Sequence, residues 1–215
     1  MNKMIALLLF GTSLTAISFA EIPLADQQTA TFSFKNVTPQ YVETFSSNGA
    51  CIKLAGLFSQ TPLNENLAEV TLNATPTLLA RSDGNGIGTG PFSDGELRNG
   101  AGTPFLAGAT LVEIVNVATP CRTQLTHLGI LLNSVDYGTQ EGYLVYGSKQ
   151  DALCGPAKLD LLAHGKGDTA GEAWIDICGS QLCQYKYFYV TADNSYYSSV
   201  NLGDGTKIWF EPSCK

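Results

Sequence analysis

From Glu172 to Cys178 the chain alternates with a period of two. Ala173, Ile175 and Ile177 interleave with Glu172, Trp174, Asp176 and Cys178. Side chains of an extended strand point alternately to opposite faces, so this segment is expected to be a half-buried strand with its apolar residues inward. Gln184–Thr191 also alternates. In Thr206–Glu211, Ile208 and Phe210 take the core-type positions, and Lys207, Trp209 and Glu211 take the opposite face. Asp204-Gly205, between Tyr196–Leu202 and Thr206–Phe210, has the composition of a type I′ hairpin turn.

The same period recurs nearer the N-terminus. Ala30, Phe32 and Phe34 alternate with Thr31, Ser33 and Lys35 until Thr38-Pro39. Proline donates no ladder hydrogen bond, which ends the run. Ile52, Leu54 and Phe58 suggest a second strand, and Val70, Leu72 and Ala74 a third, closed by Pro76. Thr110–Val117 reads as a strand buried on both faces, and Tyr143–Tyr146 as a short strand. Helical spacing occurs once: Thr119 as a cap, Pro120 at the first helical position, then Cys121, Leu125, Leu128 and Leu132. Gly129 opposes that helix by about 1 kcal/mol relative to alanine. A strand with Leu128, Ile130 and Leu132 inward competes with it. One or two helical turns are expected within 149–164, stopped by Gly155-Pro156 and by Gly165.

These patterns point to a mainly β chain: a single disulfide-stabilised β-sandwich or jelly-roll-like domain over 21–215, with a minor helix. Between 82 and 108, eight of 27 residues are glycine. Ordering such a stretch costs much backbone entropy, so a mobile surface loop, or a loop held by something else, is expected there.

Met1–Ala20 has the pattern of a secretory signal peptide of bacterial style. Lys3 supplies the charge, Met4–Phe10 the apolar run, and Ser18-Phe19-Ala20 the small-residue cleavage site. No later segment is apolar enough to span a bilayer, so the mature chain is expected to be secreted or periplasmic, without a transmembrane segment. Cys51, Cys121, Cys154, Cys178, Cys183 and Cys214 all follow the expected cut, and an even count in an exported chain points to disulfides. The preferred pairing joins Cys178 to Cys183 across a four-residue hairpin loop, Cys51 to Cys121 and Cys154 to Cys214. The rival joins Cys154 to Cys178 and Cys183 to Cys214. No C-x-x-C pair or zinc-type Cys/His set is present.

A net charge of −7 disfavours binding nucleic acid by phosphate neutralisation. The chain has no G-x-S-x-G, no H-E-x-x-H and no phosphate-binding G-x-x-x-x-G-K, and no cofactor is expected. Glu172 and Asp176 are separated by roughly 13 Å of strand, beyond the roughly 5–9.5 Å of paired glycosidase carboxylates. Asp83, Asn85 and Asp94 fall at ligand positions of a calcium loop, with Gly88 at its tight turn. Ile87 at a ligand position and the following Pro91 count against it.

One constellation stands out. Both tryptophans fall on the charged faces of their strands, beside Glu172, Asp176 and Lys207, and Tyr185, Tyr187 and Tyr189 form a third aromatic row, opposite Lys186, Phe188 and Val190, where neither face is polar throughout and parity does not choose between them. Rings among charged groups suit stacking on a ligand, provided that the three strands are neighbours in one sheet. The candidate binding residues are therefore Trp174, Trp209, Glu172, Asp176, Lys207 and Tyr187. The expectation is an exported non-catalytic domain that binds a carbohydrate or an extracytoplasmic protein. The alternatives are an exported hydrolase built on His127 or His164, and a periplasmic inhibitor or immunity protein presenting the 82–108 loop.

Overall fold

The computed structural model describes residues 28–34, 42–48, 50–59, 63–64, 69–70, 78–80, 86–89, 96–99, 107–117, 122–136, 138, 141–151, 154–182, 184–193 and 199–213. The signal-type segment Met1–Ala20, the calcium candidates Asp83, Asn85 and Asp94, and Cys121, Cys183 and Cys214 lie outside them.

In chain order the strands are β1 (Gln28–Thr31), β2 (Val42–Ser47), β3 (Ala50–Ser59), β4 (Glu69–Val70), β5 (Leu78–Ala80), β6 (Gly86–Thr89), β7 (Leu97–Arg98), β8 (Ala107–Val117), β9 (Arg122–Asn133), β10 (Gly142–Ser148), β11 (Ala157–Lys158), β12 (Asp160–Lys166) and β13 (Glu172–Cys178). A single helical turn, α1 (Gly179–Leu182), precedes β14 (Tyr187–Ala192), β15 (Ser199–Gly203) and β16 (Lys207–Ser213). The protein is mainly β, with antiparallel sheets. One sheet of eight strands has the order β1-β16-β9-β15-β6-β5, with β13 on β9 and β7 on β15. One of six has the order β12-β10-β14-β8-β3-β2, and β11 pairs with β4.

The main core collects side chains from both large sheets. Leu128, Ile130 and Leu132 of β9 and Ala173, Ile175 and Ile177 of β13 share it with Ile52 and Leu54 of β3, Val145 of β10 and Phe188 and Val190 of β14. A second cluster lies on the other face of the six-stranded sheet. There Ala55, Leu57, Leu144, Tyr146 and Tyr189 pack with Leu63, Ala157 and Leu159. The six-stranded sheet is thus covered on both faces at its inner strands β10 and β14, which are buried almost throughout, while the edge strand β12 is part-buried to exposed. The eight-stranded sheet differs: β13 alternates strictly between exposed and buried, leaving one face in solvent. Asn99, fully buried, ties two parts of the chain together. Its side chain accepts from the Leu63 N–H and donates to the carbonyls of Leu63 and Ala192.

Several expectations are corrected. The helix expected from Thr119 is strand β9. Leu128, Ile130 and Leu132 are all fully buried, as in the competing strand reading. Pairing with β13 on one edge and β16 on the other satisfies its backbone, which outweighs local helical spacing. The helical turns expected in 149–164 are absent among the described residues there, which instead contribute β11 and β12. The only helical turn among the described residues is α1, where a hairpin loop was expected. Its flanking strands belong to different sheets, so no hairpin exists. Part of the expected Gly-rich loop forms β6, β7 and the start of β8.

Asp204-Gly205 is not a hairpin turn either. β15 and β16 both run antiparallel to β9 along the same edge, so the chain does not reverse between them. Residues 203–206 form a bulge, four residues opposite two of β9, and are held by the segment that follows β1. Gly205 N–H donates to the Phe32 carbonyl, Phe32 N–H to the Thr206 carbonyl, and Phe34 N–H to Asp204 Oδ1. Gly205 sits at φ +115°, which explains a glycine there without a reversal. No disulfide joins the described cysteines Cys51, Cys154 and Cys178 to one another, so disulfide stabilisation is not visible in the fold.

Candidate functional site

On the solvent side of the eight-stranded sheet, β9 lies between β13 and β16. Because Leu128, Ile130 and Leu132 point into the core, the intervening His127, Gly129 and Leu131 take the outer face. Register then sets the rows. Asp176 pairs with Gly129, which pairs with Lys207. Cys178 pairs with His127, which pairs with Trp209, while Trp174 pairs with Leu131. Directly opposed side chains in such rows lie about 5 Å apart at Cβ, so these groups are neighbours. A register shift between Trp209 and Phe210 places an extra β9 residue, Thr126, beside this site. Bulges of this kind re-aim side chains.

The two indoles meet edge to face, with centroids 6.1 Å apart and planes at 81°. His127 extends the series, 6.3 Å from Trp209 at 85°. The rings converge over Gly129. A Cβ at that position would lie 2.5 Å from Trp174 Cζ2 and 2.6 Å from Trp209 Cζ3. The absent side chain is what lets both rings lie down over the strand. Trp174 remains 45% exposed, the one large hydrophobic residue exposed among the described residues. Lys207 Nζ stands 5.6 Å above the Trp174 ring, a cation–π contact. His127, Trp174, Asp176 and Trp209 line an open notch of about 280 Å³.

Chemically, the notch offers indole faces with negative π-density, a carboxylate that accepts hydrogen bonds, an imidazole that donates or accepts, and an ammonium at the side. None of the four lining residues carries a hydroxyl or thiol nucleophile. Among the described residues, no group of three or more His, Cys, Asp or Glu side chains is placed to hold a metal. The resolved pKa perturbations lie elsewhere. Burial raises the Tyr143 phenol. Tyr185 is raised by burial, then by its hydrogen bond to Asp160 and that carboxylate's charge.

Of the expected site residues, the structure brings together Trp174, Trp209, Asp176 and Lys207. Glu172 is exposed at the start of β13, on the same face but opposite Asn133 and outside the notch. Tyr187 is separated from them. It lies in β14 of the six-stranded sheet and packs against the second cluster, on the face turned away from the eight-stranded sheet. The three strands expected as neighbours therefore do not form one aromatic face. His127 and Gly129 join the site without having been placed there from the sequence. The signal for both is parity along β9, which becomes readable only when that segment is taken as a strand. His164 is exposed on β12 of the other sheet.

The fold and site together define a mainly β protein with an aromatic notch on one open sheet face. No family model matches the chain, and no curated protein matches it. Among solved structures it is similar to the cleaved adhesin domain of Lys-gingipain from Porphyromonas gingivalis. The identity is 16% over 86% of this chain and 95% of that one, with a TM-score of 0.34. No helix among the described residues is long and apolar enough to cross a membrane.

Proposed function

We propose that this chain is an exported, non-catalytic binding domain, a disulfide-stabilised β-sandwich that recognises a carbohydrate or a partner protein through the face bearing Trp174 and Trp209. The signal-type N-terminus and six cysteines support export and disulfides. One core shared by two large sheets supports the sandwich.

The observation that carries the binding role is the half-exposed Trp174, held edge to face against Trp209 over a glycine floor. An indole buries about 250 Å² when fully covered. A ligand covering the 45% still exposed removes about 110 Å² from water, worth about 3 kcal/mol at the usual coefficient. Trp174→Ala is therefore expected to weaken binding by about two orders of magnitude.

The test compares wild type, Trp174→Ala and Trp209→Ala on an array of glycans and an array of extracytoplasmic proteins, with circular dichroism to verify folding. Loss of a wild-type contact in both variants, on either array, is the expected result. Contacts that survive both substitutions would refute the role of this face.

A further inference from the structure

Resting on that reading of the site, we infer that its ligand is a neutral sugar ring of a glycan, stacked on Trp174 in the notch above Gly129. Four observations narrow the chemistry. First, the notch holds about 280 Å³, at the small end of ligand sites and suited to one ring-sized group. Second, Asp176 and Lys207 flank Gly129 from opposite strands, so their formal charges cancel across the floor. A charged ligand gains from one and is repelled by the other. Third, Lys207 Nζ, 5.6 Å from the centroid of the Trp174 ring, already supplies a cation to its π-density, and its positive charge repels a second cation but not a neutral ring. A quaternary ammonium ligand is disfavoured for that reason.

Fourth, the surroundings of the indoles are polar. Glu172, Asp176 and Cys178 share the outer face of β13, with Lys207 across the sheet. The centre of a protein–protein interface is depleted of charged residues. A sugar ring uses both features at once. Its C–H face, with partial positive charge, lies on the negative face of an indole. Its hydroxyls donate to the Asp176 carboxylate and accept from Lys207. A single ring has few heavy atoms, so millimolar affinity is expected, rising for oligosaccharides with further contacts.

The chain has only two tryptophans, and both are in the notch, so indole emission reports on this site alone. The experiment titrates the full chain with methyl glycosides of glucose, galactose, mannose and N-acetylglucosamine and with their neutral oligosaccharides. Glucuronate, a sulfated glucose and choline serve as charged comparators. The expected result is a saturable emission change with at least one neutral glycan, at least tenfold weaker with the charged sugars, and none with choline. Asp176→Asn, an exposed change that spares the indoles, is expected to weaken the neutral glycan about tenfold.

An emission change that saturates with choline or a charged sugar in preference to every neutral glycan overturns the inference. So does silence across the neutral panel, and so does unchanged affinity in Asp176→Asn. If the neutral panel is silent while both tryptophan variants lose a contact on the protein array, the binding face stands and the sugar assignment falls. If both experiments are silent, both fall.

Discussion

Gly129→Ala tests the geometry of the notch without removing any group from it. Carbon atoms in contact sit about 3.5–4.0 Å apart. The new methyl would lie 2.5 Å from Trp174 Cζ2, and 2.6 and 2.8 Å from Trp209 Cζ3 and Cη2. Both rings must therefore withdraw by about 1 Å. Gly129 is not among the residues with positive φ, so alanine adds no backbone strain. Replacing a mid-strand glycine gains roughly 0.5–1 kcal/mol. Losing the edge-to-face pair costs about 0.5–1.5 kcal/mol. The half-exposed Trp174 is free to swing outward, which keeps the repulsion small.

Net stability should therefore stay within about 1 kcal/mol of wild type, a Tm shift of no more than about 4 °C for a chain of this length. The site should change far more. Indole emission should move to the red, acrylamide quenching should rise, and ligand affinity should fall at least tenfold as the floor is raised. Thermal unfolding followed by circular dichroism, alongside fluorescence quenching, measures both halves. Unchanged emission would show that the rings do not rest on Gly129. A loss above about 3 kcal/mol would show that they are locked in place as core rather than seated on an open face.

Three further outcomes follow from the same contacts. Asn99→Ala leaves one N–H and two carbonyls unpaired in the interior, so urea unfolding should show a loss of at least about 3 kcal/mol. Gly205→Ala should cost about 1–3 kcal/mol in the same assay. The cause is its φ of +115°, since the nearest atom to a new Cβ, Leu131 Cδ2, is 3.5 Å away. Tyr185 has its phenol pKa raised above the ordinary 10.0 by burial and by Asp160. Its stabilisation is present below that ordinary value and is lost as pH rises through the folded-state pKa. Denaturation between about pH 9 and pH 11 should thus show a flatter decline for Tyr185→Phe than for wild type; equal slopes would contradict the assigned environment.

The sequence was most legible where a strand has one wet face. Along β13, period two placed Ala173, Ile175 and Ile177 inside and Trp174 outside, and the burial pattern is the same. Ala30, Phe32 and Phe34 behave alike, all buried, between exposed Thr31 and Ser33. Legibility failed along β14, where Tyr189 packs into one core and Phe188 and Val190 into another. A strand covered on both sides has no polar face to mark its parity. The side of the sheet on which the tyrosine row lies is therefore not readable from its own alternation, and only the two clusters decide it.

Local reading also failed at β9 and at Asp204-Gly205. A run of leucines at mixed spacing fits either a helix or a strand, and Asp-Gly suits a bulge as well as a turn. In each case a distant partner decided. β13 and β16 hold β9 extended, and Phe32 and Phe34 hold the bulge.

The amino-acid order by itself determined the mainly β character and the outward direction of Trp174 and Trp209, because side-chain parity is a property of each strand alone. Tertiary structure decided that these indoles meet, that Gly129 lies beneath them, that His127 and Lys207 stand beside them and that Tyr187 does not. Those facts depend on which strands pair and in what register, and hydrogen bonding between segments far apart in the chain sets both.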